Sequence, residues 1–172
     1  MIPYLFLLCG PAGVGKSTWL KNKFSENWDK THSAIVSRDE IRFHLLEKEG
    51  LTKKDYFKKE KETEVIFYST IAAALDAGDD VYADATHLTK KSRAKTIREV
   101  TKYSKNKKFA VICLDFWCEN MRDICYIRNH GRTGLALVPD EVVIKQCEIY
   151  ERPTKNEDKI DLVFRIEEEK NE

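Results

Sequence analysis

The chain has no C-x-x-C pair, no excess of either charge and no apolar run long enough to cross a bilayer. Its five cysteines, Cys9, Cys113, Cys118, Cys125 and Cys147, lack zinc-site spacing. Cys9 and Cys113 fall in apolar, strand-like runs where a reduced thiol packs as a small hydrophobe, so a reducing compartment and no zinc are expected. Thirty basic against 29 acidic residues leave a net charge of +1, so no global field draws the molecule onto nucleic acid or an anionic membrane. Any polyanion must be gripped locally. The N-terminal apolar run is too short for a membrane span, lacks a basic leader and ends in a loop, so a cytoplasmic protein with no membrane partner is expected. No repeat, low-complexity stretch or linker divides the 172 residues, which are expected to form a single domain.

That apolar run, Ile2 to Cys9, leads straight into Gly10-Pro11-Ala12-Gly13-Val14-Gly15-Lys16-Ser17-Thr18, a complete G-x-x-x-x-G-K-[ST] phosphate-binding loop. The glycines allow successive backbone N–H groups to turn inward on phosphates, Lys16 supplies a point charge for the β- and γ-phosphates, and the Ser17 hydroxyl suits Mg²⁺. A helix beginning near Ser17 adds its positive dipole end behind them. Gly13, Val14, Gly15, Lys16, Ser17 and Thr18 are therefore the expected nucleotide-binding residues, with ATP and Mg²⁺ as cofactors.

Further strands are expected at Ser33–Ser37, from Asp80 to Asp84, Phe109–Phe116 and Leu162–Ile166. Helices are expected from Ser17 to about Asn27, Asp39 to Leu46, Thr52 to Gly78, Thr89 to Ser104, Glu119 to Asn129 and Pro139 to Glu151. In the third of these, Phe57, Val65, Tyr68, Ile71, Ala72 and Leu75 recur at helical spacing; in the fourth, Ala94, Ile97 and Val100 point inward. Strands alternating with helices predict an α/β fold: a three-layer P-loop NTPase with a mainly parallel central sheet, helices on both faces and an acidic tail over 167–172.

Three further segments carry chemistry. In Ser37-Arg38-Asp39-Glu40-Ile41-Arg42, Ser37 and Glu40 have the spacing of a capping box. The same segment lets Asp39 accept a proton from an attacking hydroxyl while Arg42, one turn on, holds an anionic acceptor. Asp84-Ala85-Thr86-His87-Leu88 ends the third strand, where Asp84 is placed to serve the metal or to orient Arg42. His87, with no second histidine nearby, reads as a packed or surface residue. Arg128-Asn129-His130-Gly131-Arg132-Thr133-Gly134 has two arginines and flexible glycines, which suits a lid over 128–138: Arg132 would meet charge between the β- and γ-phosphates, and Arg128 the base or a phosphate. The alternative is a helix C-terminus decorated with cations.

With these segments together, the chain resembles the phage-type 5′-polynucleotide kinase domain and the small P-loop kinases around it, the AAA-type ATP-binding and zeta-toxin-like group. The resemblance covers Ile2 to about Glu151 and rests on Ser17-Thr18-Trp19 after the loop, Arg38-Asp39-Glu40-x-Arg42, Asp84-x-Thr86-x-Leu88, and Arg128-Asn129-x-x-x-Arg132 leading into Val138-Pro139. It implies a general base at Asp39, an acceptor-phosphate arginine at Arg42, a lid arginine at Arg132, and Thr86 near the acceptor phosphate. The phage pattern has an aspartate immediately before the threonine, where this chain has Ala85, and the Asp-x-Asp-Gly-Thr motif of a 3′-phosphatase partner domain is absent.

The expected reaction is transfer of the γ-phosphoryl of ATP to a hydroxyl, first of all the 5′-hydroxyl of a polynucleotide, with a small molecule such as a nucleoside, sugar or antibiotic as the rival acceptor. A nucleotide-dependent switch is the alternative from another class. The helix after Thr89 bears Lys90, Lys91, Arg93, Lys95, Arg98, Lys102 and Lys105, a strip that reads either as a solvated face or as a track for a nucleic-acid backbone.

Overall fold

The computed structural model describes residues 2–25 and 32–167. Five strands, β1 (Tyr4–Cys9), β2 (Ser33–Ser37), β3 (Asp80–Asp84), β4 (Ala110–Asp115) and β5 (Leu162–Arg165), lie in the order β2-β3-β1-β4-β5. Every pairing is parallel, so the sheet expected to be mainly parallel is parallel throughout the described residues. The strand carrying the phosphate loop is central, with Leu5 opposite Val81 on one side and Val111 on the other.

Six α-helices connect the strands: α1 (Lys16–Ser25), α2 (Arg38–Lys48), α3 (Glu60–Ala77), α4 (Lys90–Tyr103), α5 (Met121–His130) and α6 (Asp140–Glu148). Because strand side chains alternate, β1 feeds two cores. Leu5, Leu7 and Cys9 pack with Phe67 and Ile71 of α3 and with Ile97 and Val100 of α4. Leu8 packs on the other face with Leu20 of α1, Cys125 of α5 and Val143 of α6. Burying a Leu or Ile contributes about 1.5–3 kcal/mol, so a strand covered on both faces reads as an unbroken apolar run. Local signals set the helix ends: the Ser37 hydroxyl accepts from the Glu40 N–H at 3.4 Å, Thr89 and Ser92 close a capping box, and Gly78 ends α3 at φ 95°.

Several expectations are corrected. Thr52 does not cap one long helix; it opens a 3-10 turn over Lys53–Lys59, and α3 starts only at Glu60. Phe57 and Val65, expected inward, are 79% and 50% exposed. In α4 Ala94 is exposed while Arg93 is fully buried, since four hydrogen bonds satisfy its guanidinium. That removes Arg93 from the basic strip, and Lys95 pairs with Glu64 while Arg98 and Lys102 share Glu99. Pro139 is the N-cap of α6, which ends at Glu148. The expected end of the first helix near Asn27, and residues 168–172 of the acidic tail, lie outside the described residues.

Candidate functional site

Parallel winding brings the C-terminal ends of all five strands to one edge, where the loops after β1, β2 and β3 meet. The Gly10 N–H donates to the Thr86 carbonyl at 2.9 Å, anchoring the start of the phosphate loop on the end of β3. Gly13 adopts φ +88°, and a Cβ there would stand 2.6 Å from the Cys125 carbonyl, so the loop rests directly on the backbone of α5. Lys16 is buried and folds back over its own loop, donating to the carbonyls of Gly10 at 2.7 Å and Pro11 at 2.8 Å. Burial lowers its pKa, against the opposing pull of Asp84.

The Ser17 hydroxyl donates to Asp84 Oδ2 at 3.1 Å. Burial raises the Asp84 pKa, and the Lys16 charge and the Ser17 hydrogen bond pull it down. Asp84 thus serves Ser17, and the orientation of Arg42 falls to other carboxylates. A hydroxyl beside a carboxylate is a hard-oxygen pair that fits Mg²⁺. Among the described residues no three His, Cys, Asp or Glu side chains gather, so such an ion would complete its shell with phosphate oxygens and water.

After β2, the first turn of α2 places Asp39 and Arg42 together. Arg42 Nη1 donates to Asp39 Oδ1 at 2.6 Å and to the Tyr56 hydroxyl at 2.6 Å, and Nη2 donates to Glu60 Oε2 at 2.7 Å. The guanidinium also lies 4.3 Å from the centre of the Tyr56 ring. Arg42 is expected to stand ready for an anionic acceptor; here it is buried, with both terminal nitrogens on carboxylates. Any anion that approaches Arg42 must share it with them. Asp39 keeps 62% of its side chain exposed, so the carboxylate can be approached from solvent.

Beyond the loop, a cleft of about 640 Å³ is lined by Gly13 to Thr18 and by Phe116, Arg128 and Arg132. Arg128 Nη1 donates to the Val14 carbonyl at 3.2 Å, and the Arg132 charge acts on Lys16, lowering its pKa. The segment expected as a lid is clamped at its base: the buried Asn129 side chain accepts from the Val138 N–H at 3.1 Å and donates to the Val138 carbonyl at 2.7 Å. Between these ends the chain forms a short 3-10 turn at Gly134–Ala136.

Two features escaped the sequence reading. Tyr56 belongs to no motif, and a helical spacing rule assigns it to a solvated face. Asp115, buried at the end of β4, accepts from the Tyr150 hydroxyl at 2.6 Å and from Arg152 at 2.8 and 2.7 Å. Its signal was a carboxylate interrupting the apolar run Leu114-Asp115-Phe116.

Residues 5–153 match the AAA domain family. No curated protein sequence matches the chain. Among solved structures, a chain of the Pnkp1/Rnl/Hen1 RNA repair complex is similar at 22% identity and TM-score 0.59, covering 86% of this chain and 44% of that one. This chain therefore spans less than half of the RNA-repair chain it matches. A gluconokinase from Sinorhizobium meliloti 1021 is similar at 17% identity and TM-score 0.52, with 98% of this chain and 85% of that one covered. Chaetomium thermophilum Kti12 in complex with ADP-AlF3 is similar at 16% identity and TM-score 0.62, covering 94% and 88%. At these identities the likeness establishes the fold, which is that of the P-loop kinases.

Proposed function

The chain belongs to the AAA domain family, and we propose that it is a kinase that transfers the γ-phosphoryl of ATP to the 5′-hydroxyl of a polynucleotide. The observation that carries this reading is the place of Asp39: a carboxylate outside the phosphate loop, open to solvent, whose charge acts on both Lys16 and Asp84. A switch or a plain nucleotide-binding module has no use for a base on that side.

In this reading Lys16 leaves the Gly10 and Pro11 carbonyls for the β- and γ-phosphates, whose charge competes better for an ammonium than two neutral carbonyls. Gly13, Val14, Gly15 and Thr18 wrap the phosphates. Ser17 and Asp84 would hold Mg²⁺, which would supply positive charge against the phosphates. Asp39 takes the proton of the attacking hydroxyl, Arg42 holds Asp39 and shares the phosphate adjoining the acceptor, and Thr86 borders that phosphate. Arg128 and Arg132 close from the lid, Arg132 meeting the charge that builds on the transferring group.

The likeness to an RNA repair complex supports a polynucleotide acceptor. A small-molecule acceptor is the second reading, favoured by the engagement of Arg42 with Asp39 and Glu60, which an uncharged substrate leaves intact. Incubation with γ-labelled ATP, Mg²⁺ and a panel of acceptors separates the two. Label on a 5′-hydroxyl oligonucleotide is the expected result; label only on a sugar or unphosphorylated nucleoside selects the second reading, and ATP hydrolysis with no acceptor labelled sinks both.

A further inference from the structure

The 3-10 turn Lys53–Lys59 joins α2 to α3, and its Tyr56 meets the acceptor-side carboxylate directly. The Tyr56 hydroxyl donates to Asp39 Oδ1 at 3.0 Å while accepting from Arg42 Nη1 at 2.6 Å. A phenol has one proton. Because the Arg42 N–H points at its oxygen, that proton is directed at Asp39, and the sense of the bond is set. Resting on the kinase reading above, we propose that Tyr56 is a positioning residue that fixes the rotation of the Asp39 carboxylate, pinning Oδ1 so that Oδ2 is the oxygen turned to the acceptor hydroxyl.

The chemistry of a carboxylate base makes this useful. A free carboxylate rotates about its Cβ–Cγ bond, and each wrong orientation lowers the fraction of collisions that lead to transfer. Two donors on one oxygen remove that freedom and leave the other oxygen with its lone pairs. Burial, followed by the Asp39 charge, pushes the Tyr56 pKa up to about 12, so the phenol remains a donor throughout the neutral range. The ring itself is held from two sides, by the Arg42 guanidinium on its face and by Phe57 edge-on at 5.2 Å and 80°. At the other end of the turn, the Lys53 ammonium donates to the Leu137 carbonyl, so the segment that orients the base also touches the end of the lid.

Among the described residues, the charged and titratable groups around Asp39 and Tyr56 include Arg42 on the helix of Asp39, Glu60 on α3, Lys16 on the phosphate loop and Asp84 at the end of β3. Tyr56→Phe removes the phenol proton and keeps the ring that packs on Arg42. With the acceptor that the wild-type chain labels most rapidly, the variant is expected to transfer about tenfold more slowly, the worth of one hydrogen bond to a charged group. Its ATP affinity and its KM for the acceptor stay within twofold, so the loss falls on kcat, as expected where a hydrogen bond orients the base without holding either substrate.

Asp39→Asn is run alongside. If wild type labels no acceptor, or if Asp39→Asn transfers at the wild-type rate, the kinase reading fails and the role of Tyr56 fails with it. If Asp39→Asn abolishes transfer while Tyr56→Phe matches wild type in kcat, the role of Tyr56 alone is overturned. A Tyr56→Phe loss that appears equally in ATP affinity also overturns it, since that result marks a structural prop.

Discussion

His87 stands where the site meets the core, and its ring sets a pH dependence of stability. Nδ1 donates to the Leu8 carbonyl at 3.0 Å, so the neutral ring carries its proton there, and Nε2 is buried without a hydrogen-bond partner. Burial pushes the pKa down from 6.5 to about 4. A folded-state value below the unfolded one means that the unfolded chain binds the proton first as pH falls. The contribution is fully present above about pH 6.5 and is lost as pH drops through about 4, a total of roughly 3 kcal/mol at 1.36 kcal/mol per unit. Urea unfolding at a series of pH values is expected to show wild-type stability falling more steeply across that window than His87→Asn. Asparagine keeps a donor for Leu8 and tolerates the positive φ of 41° without titrating. Equal slopes in the two proteins exclude the ring as the source.

At the scale of elements, α4 is held by a buried charge. Arg93 reaches Glu157 with Nε at 2.7 Å and Nη2 at 2.6 Å, and its Nη1 donates to the carbonyls of His87 at 3.0 Å and Glu151 at 2.9 Å. One side chain thereby ties a helix to the turn after β3 and to the segment leading into β5. Arg93→Ala strands the buried Glu157 carboxylate and is expected to cost about 3–5 kcal/mol in urea denaturation. Arg93→Lys is expected to recover little of it, because an ammonium cannot present a planar fork to a carboxylate and two carbonyls at once. A loss below about 1 kcal/mol for the alanine variant contradicts this account, since that is the range of a solvated surface pair.

For the molecule as a whole, the candidate nucleotide site draws on elements distant in sequence: the loop after β1, the end of β3, and α5 with the residues just after it. A ligand that binds them only when folded raises the unfolding free energy by about 2.7 kcal/mol at a hundred times its dissociation constant. ATP with Mg²⁺ is therefore expected to raise the melting temperature of the wild type. Lys16→Ala is expected to melt near wild type without ligand and to lose most of that shift, because the hydrogen bonds of the Lys16 ammonium go to carbonyls of its own loop. An undiminished shift in Lys16→Ala removes the lysine from nucleotide binding.

The phosphate loop, the strands and most helices were legible in the sequence because each depends on residues near one another in the chain. Gly10 to Thr18 make one turn, the apolar run of β1 needs six residues, and Ser37 caps its own helix. The placing of Asp39 and Arg42 one helical turn apart was legible for the same reason. What Arg42 holds was not: Tyr56 lies 14 residues on and Glu60 18, across a 3-10 turn that helical spacing mistook for the start of α3. The burial of Arg93 was hidden more deeply, for Glu157 is 64 residues away. Periodicity reports which residues share a face; whether a charge can lie on the inner face depends on partners that only the folded chain supplies, since a buried ion without them costs several kcal/mol.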